Sequence, residues 1–326
     1  MRPDPVPSVL ALAVVLGACA PDAGPPRAPF DAQGHRGARG LLPENTLPAF
    51  ERALALGVST LELDVGVTRD RVVVVAHDPY VPPSICRHAD GRAIEGERGP
   101  LLRDLSLAEV QAWDCGSLNP DPARFPEPPR EARPGTPMPT LDAVFALAER
   151  AGNTRVRFNV ETKLRPGDLE TLPAEEFVAR VLAVVRERGV LARVSIQSFD
   201  WRALAIARRL APEIRTVALV APDTLDPAWL AGLRPDGDGR LLGLLRAARP
   251  LADVVSPHWR MLVADGATPP ALSVEALHAE GFPVIPWTVN DAEDMRALIR
   301  LGVDGLISDY PDRLLEVVKS EGLTLL

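Results

Sequence analysis

A small set of polar residues stands at spacings that suit one kind of chemistry. His35-Arg36-Gly37 places an imidazole beside a guanidinium, and Pro43-Glu44-Asn45-Thr46 follows closely. Glu62 and Asp64 lie two apart in an apolar run, so on a strand both carboxylates point to the same face. Glu161 and Lys163 repeat that spacing, and His77-Asp78 closes a run of valines. Glu62, Asp64 and Glu161 would crowd three negative charges together unless a hard cation neutralised them, and oxygen donors suit Mg²⁺ or Ca²⁺ rather than zinc. Arg36 and Lys163 supply positive charge for the non-bridging oxygens of a phosphate. His35 and His77 can take a proton from an attacking oxygen and give one to a leaving alkoxide near neutral pH. Each group alone has an ordinary structural reading, a salt bridge or a packed ring; the set together suits phosphodiester cleavage.

These residues need elements to position them. Apolar β-like runs end near His35, Asp64, Glu161, Ser198, Val220, Ser256, Val289 and Ser308. Amphipathic helical stretches such as 45–56, 174–188, 201–210, 273–279 and 291–301 fall between them. Eight strands alternating with helices predict an α/β fold, a TIM-type (β/α)8 barrel whose site lies at the C-terminal strand ends. Every motif residue stands at or just after such an end. Asn45 is read as the cap of its helix, and Glu44 as a partner that orients Arg36.

Residues 71–77 break the alternation. They follow the Asp64 strand after a short polar turn around Asp70, which is hairpin spacing. With the turn centred there, partner numbers total about 140, which sets His77 opposite Leu63, between Glu62 and Asp64. The stretch 79–140 is too long for a barrel loop and carries a helix-like piece over 106–113 and a Pro-rich run over 120–139; it reads as a lid over the site.

In this order the motifs, with Trp287-Thr288-Val289-Asn290 and Ser308-Asp309-Tyr310-Pro311 added, resemble the glycerophosphodiester phosphodiesterase family over nearly the whole chain after its first thirty residues. The resemblance implies hydrolysis of a small glycerophosphodiester to sn-glycerol 3-phosphate and an alcohol. It implies Glu62, Asp64 and Glu161 as ligands of one divalent cation, Ca²⁺ or Mg²⁺, and an insertion that shapes access. It places Trp287 against the pocket, although a tryptophan packed into the barrel rim is the alternative reading; Phe199 is comparable, and Asp309 is read as structural. His35 is assigned as base and His77 as acid, with the reverse left open, as is the nucleophile, water or the adjacent glycerol hydroxyl. His88, His258 and His278 match no motif. The alternatives are a phospholipase D-like barrel acting on intact lipids, whose sequence differs around the Glu44-Thr46 motif, and a non-catalytic phosphate-binding lipoprotein, which would need a broken catalytic set.

The 326 residues suffice for one large barrel domain, over 31–326. A net charge of -8 and a pI near 5.3 exclude a non-specific nucleic-acid binder, which needs a basic surface to displace counterions. Residues 9–16 form an apolar run too short to span a bilayer, and Leu16-Gly17-Ala18-Cys19 reads as a lipobox. Residues 1–19 are thus expected to be a lipoprotein signal peptide and 20–30 a Pro/Gly-rich tether, with the protein extracytoplasmic and lipid-anchored at Cys19; an ordinary secretory signal cut near Ala18 or Ala20 is the alternative. Outside the cytoplasm, Cys86 and Cys115 are read as a disulfide, against two unpaired thiols.

Overall fold

The computed structural model describes residues 28–119, 121–123, 125, 130–234 and 241–326; Cys19, its lipobox and most of the tether lie outside them. The chain begins with β1 (Asp31–Gly34), α1 (Leu47–Leu56) and β2 (Thr60–Val67), then folds back as β3 (Val73–Val75). An excursion carries β4 (Arg87–His88), α2 (Leu107–Val110) and β5 (Trp113–Asp114) before α3 (Leu141–Arg150) returns to the barrel. Strands and helices then alternate, save that α8 follows α7 with no regular strand between: β6 (Arg157–Thr162), α4 (Ala174–Glu187), β7 (Val194–Ser198), α5 (Trp201–Leu210), β8 (Arg215–Val220), α6 (Leu241–Ala247), β9 (Val254–Pro257), α7 (Val274–Ala279), α8 (Ala292–Leu301), β10 (Gly305–Ser308) and α9 (Pro311–Ser320).

The main strands are parallel and pair in the order β10-β1-β2-β6-β7-β8-β9, curling into the TIM-type α/β barrel. The eighth strand, expected to end near Val289, does not form a regular ladder. Pro283 and Pro286 lack the N–H that a central strand donates. Residues 283–289 instead close the gap with scattered bonds: the Ile285 amide donates to the Val255 carbonyl at 3.1 Å, and the Val289 amide to the Ile307 carbonyl at 3.0 Å.

Period-two alternation divides the strand residues between two environments. Ala32, Leu61, Leu63, Phe158, Val160 and Ile196 join the apolar core shared with the helices. Burying one such large side chain contributes about 2 kcal/mol. Helix α4 meets that core with Phe177, Val178, Val181, Leu182 and Val185, which recur at helical spacing. The alternate strand residues Gln33, Thr60, Glu62, Asn159, Glu161 and Gln197 are buried as well, and Gln33, Asn159, Gln197 and Glu62 bond to one another across the barrel interior, while Thr60 donates to Asp31 and Glu161 accepts from Lys163. On the far side Val217, Val254, Ile285 and Ile307 form a small apolar cluster against Trp287.

β3 pairs with β2 in the register that a turn at Asp70 dictates, with Val65 opposite Val75 and Val67 opposite Val73. The Ala76 amide still donates to the Asp64 carbonyl at 3.0 Å, so the chain delivers His77 one residue beyond the ladder, beside the Glu62–Asp64 strand end. The excursion is held by its own apolar cluster of Val74, Val81, Leu102, Val110 and Met138, and by a disulfide between Cys86 and Cys115. Its helix is shorter than expected: Ser106 and Glu109 form a reciprocal capping box, but the helix ends at Val110, and Trp113 pairs in a strand with His88.

Candidate active site

The first loop of the barrel is shaped around Gly37 and two strained residues. Gly37 has φ 84°, and a Cβ there would meet the Ala49 carbonyl carbon at 2.7 Å, so the loop packs directly on the first turn of α1. Arg36 and Asn45 take left-handed backbone at φ 49° and 56°. Each conformation costs about 1 kcal/mol or more for a non-glycine residue. They brace each other, the Asn45 amide donating to the Arg36 carbonyl at 3.0 Å. Asn45 does not cap α1: Thr46 holds that position, and the Asn45 side chain donates instead to Asp64 Oδ2 at 2.9 Å. A residue in the left-handed region is not extended enough to serve as an N-cap, which freed this amide for the site.

At the strand ends Glu62, Asp64 and Glu161 are all buried, with one ligand-type oxygen from each within 4.8 Å of the others. Asp64 and Glu161 are register partners on β2 and β6. Lys163 Nζ lies 2.8 Å from Glu161 Oε1 and 3.7 Å from Asp64 Oδ1. Arg36 Nε lies 3.1 Å from Asp64 Oδ2 while its Nη1 donates to Glu44 Oε1 at 2.5 Å, the orienting contact expected of Glu44. Arg39 donates to the other Glu44 oxygen at 2.7 Å.

The two histidines approach this cluster from different elements. His35 Nδ1 is 2.6 Å from Asp309 Oδ1, and its Nε2 faces Glu62 Oε2 at 3.9 Å. His77 Nδ1 is 3.1 Å from Asp78 Oδ1. Both line one cleft of about 410 Å³ with Arg36, Glu62, Glu161, Lys163 and Trp287, so every site residue expected from the sequence except Asp64, which lies just beneath, reaches its wall. Ser84 and Ile85 of the excursion also line it. Trp287 satisfies both readings of its role: its Nε1 donates to the Ser256 carbonyl at 2.9 Å in the rim, while its ring packs edge-on to Phe199 and faces the cleft.

Comparison with known proteins decides what this arrangement is. Residues 35–313 match the profile of the glycerophosphoryl diester phosphodiesterase family. A glycerophosphodiester phosphodiesterase from Caldanaerobacter subterraneus subsp. tengcongensis is 30% identical over 292 residues, covering 88% of this chain and 97% of its own. The chain belongs to the glycerophosphoryl diester phosphodiesterase family. The crystal structure of a candidate glycerophosphoryl diester phosphodiesterase from Silicibacter pomeroyi superposes with a TM-score of 0.78 at 32% identity, covering 93% of this chain and 97% of that one. An Oleispira antarctica phosphodiesterase solved with its product sn-glycerol-3-phosphate shares the fold at a TM-score of 0.64 and 23% identity, over 89% of this chain and 97% of that one.

In this phosphodiesterase the electrostatics single out the carboxylate cluster as a group that could hold a cation. Burial, with Asp64 and Glu161 close by, raises the Glu62 carboxyl well above its ordinary range. Burial likewise pushes Glu161 up to about 7, with Asp64 adding to the rise and Lys163 opposing it. Burial opposes ionisation of Asp64 too, but Arg36, His77 and Lys163 outweigh it and hold that carboxyl well below the usual range. Three buried carboxylates face two cations, an imbalance that raises Glu62 and Glu161 and that a bound divalent ion would relieve. The oxygen-only donor set fits a hard cation such as Ca²⁺ or Mg²⁺.

Asp309, read from the sequence as structural, is fully buried and bonds to His35, a contact the sequence did not reveal, while Asn290 Nδ2 donates to its other oxygen at 2.7 Å. Burial works against its ionisation, but His35 and Arg39 outweigh that and keep it charged. Gln197 was also missed, and its Nε2 donates to Glu62 Oε1 at 2.7 Å.

Proposed function

We propose that the protein hydrolyses glycerophosphodiesters to sn-glycerol 3-phosphate and an alcohol, with a divalent cation held by Glu62, Asp64 and Glu161 and with His35 and His77 moving the protons. The observation that carries this reading is the convergence of two oriented imidazoles and three buried carboxylates on one cleft of a glycerophosphoryl diester phosphodiesterase. The sn-glycerol-3-phosphate bound to the Oleispira relative supports the glycerol 3-phosphate half of the product pair.

When bound, the cation supplies Lewis-acid stabilisation of charge on the phosphate oxygens. The chain's own residues do the rest. Arg36 and Lys163 line the cleft and attract the phosphate. Asp309 accepts from Nδ1 of His35, which leaves Nε2 as the lone-pair nitrogen facing the cleft and suits His35 to take the nucleophile's proton. Asp78 engages Nδ1 of His77 in the same way, leaving its Nε2 to protonate the leaving alkoxide. Burial, with Arg36 and Lys163 nearby, lowers the His77 pKa and so makes its imidazolium the stronger acid. The excursion 79–140 acts as a lid through Ser84 and Ile85.

The same reading places the enzyme outside the cytoplasm, lipid-anchored at Cys19 through residues 20–30. The Cys86–Cys115 disulfide is consistent with an oxidising compartment. Incubation of purified protein with glycerophosphocholine, glycerophosphoethanolamine and glycerophosphoglycerol, followed by enzymatic detection of glycerol 3-phosphate, tests the activity. Release from at least one diester is expected; release from none would contradict it.

A further inference from the structure

A continuous chain of side-chain hydrogen bonds runs through the barrel from Glu62 to the opposite mouth. Glu62 Oε1 accepts from Gln197 Nε2 at 2.7 Å, and Gln197 Oε1 accepts from Asn159 Nδ2 at 2.8 Å. The same Asn159 nitrogen donates to Gln33 Oε1 at 3.0 Å, and Gln33 Nε2 donates to Asp31 Oδ2 at 2.9 Å. Ser195 Oγ donates to Asn159 Oδ1 at 2.8 Å. Asp31 and Ser195 sit at or next to the first residues of their strands and, with Gln33, border a separate cavity of about 200 Å³, at the end of the barrel away from the cleft.

The polarity of this chain follows from its two ends. An ionised carboxylate only accepts, so Glu62 acting as a metal ligand, and Asp31 when ionised, each take a donor from the amide next to them. Asn159 is the member that donates both ways: Gln33, with its NH₂ committed to Asp31, offers it only a carbonyl, and Ser195 completes the amide by donating to its Oδ1. Gln197 must therefore turn its carbonyl toward Asn159 and its NH₂ toward Glu62. A flipped Gln197 would set a carbonyl against a buried carboxylate. The other Glu62 oxygen accepts from the Arg36 amide at 2.9 Å, so donors from two different elements hold the carboxylate plane.

We propose that Gln197 is a positioning residue for Glu62, and that Asn159, Gln33 and Asp31 set the orientation of Gln197 from the far end of the barrel. The inference rests on the assignment of Glu62 as a metal ligand. A partner that orients a ligand is worth about tenfold to a hundredfold in metal affinity. Gln197→Met, which keeps length and loses the donor, is expected to weaken Ca²⁺ or Mg²⁺ binding to the metal-stripped protein by about tenfold or more in titration calorimetry, with the far-ultraviolet dichroism of the wild type retained. Asn159→Leu alters a side chain whose hydrogen bonds go to Gln33, Gln197 and Ser195 and to no proposed ligand, and it should weaken binding in the same direction. The Gln197→Met/Asn159→Leu double variant should bind no more weakly than Gln197→Met alone, because both act through one carboxylate. Ser195→Ala removes one partly buried hydroxyl and should give a smaller loss of the same sign; it decides the matter if the core variants do not fold. Unchanged metal affinity in folded Gln197→Met or in Ser195→Ala, or strictly additive losses in the double variant, would overturn the proposal. Failure of the wild type to bind either ion is a different result, which would remove the metal assignment and this inference with it.

Discussion

His35 and Asp309 stand 274 residues apart in the chain, yet Nδ1 of the imidazole lies 2.6 Å from a carboxylate oxygen of Asp309. The contact exists because β10 pairs with β1 in parallel, Ser308 opposite Gly34, so both residues leave neighbouring strands at the same height. Asn290 completes the clamp: its Oδ1 accepts from the Asp309 amide at 3.0 Å and its Nδ2 donates to the carboxylate. The first turn of the barrel and its last strand thus share one hydrogen-bonded unit.

That unit gives the first expectation. Asp309→Asn keeps the shape but can turn an N–H toward His35, forcing the ring into the wrong tautomer for a base at Nε2. Steady-state kinetics should show kcat lower by about a hundredfold or more with KM little changed. An unchanged kcat would make Asp309 a packing residue after all.

The two histidines should be separable by leaving group. Replacing either with Ala is expected to lower kcat by about a hundredfold or more on a natural diester. A nitrophenyl ester leaves without needing a proton, so it should partly rescue His77→Ala and not His35→Ala. The opposite pattern exchanges their roles, and near-normal kcat in both variants removes the two-histidine mechanism.

Protons should compete with the metal. Glu161, pushed up to about 7 by burial and by Asp64, must lose its proton before it can act as a ligand. Metal affinity is therefore highest above that value and falls as pH drops through it, by about tenfold per pH unit for each proton displaced. Calorimetry in buffers of different ionisation enthalpy should register proton release on binding. Equal affinity at about pH 8 and about pH 6, with no proton release, would contradict the assignment.

The anchor is tested apart from the chemistry. Cys19→Ser should shift the protein from the membrane fraction to the soluble fraction without changing its kcat, because the expected tether separates lipid from barrel. Retention of the Cys19→Ser protein in membranes would end the lipobox reading.

How far the sequence carried these conclusions depended on the range of the contacts. The β2–β3 register was legible because a short turn fixes it locally, and the pairing of Val65 with Val75 follows from the position of Asp70. Glu62, Asp64, Glu161 and the two histidines were legible because their chemistry is concentrated in short motifs. Asp309 was not, since an acid after a strand does not reveal which histidine the barrel closure will bring to it. Asn45 was misread because capping preference is a local rule, and the left-handed backbone that overrides it is imposed by the Arg36 loop. The irregular eighth strand was signalled by Pro283 and Pro286, which argue against a regular central ladder. Gln197 and Asn159 carried a weaker signal, polar residues at alternate positions of buried strands beside Glu62 and Glu161, a pattern that an apolar barrel interior would not show.

The central claim, metal-dependent hydrolysis at this cleft, is tested most directly by following glycerophosphocholine by phosphorus NMR with protein stripped of metal by chelation and dialysis. No turnover is expected in excess chelator, with restoration by added Ca²⁺ or Mg²⁺ and glycerol 3-phosphate as the phosphorus-containing product. Full turnover in excess chelator, or choline phosphate as the product, would contradict it.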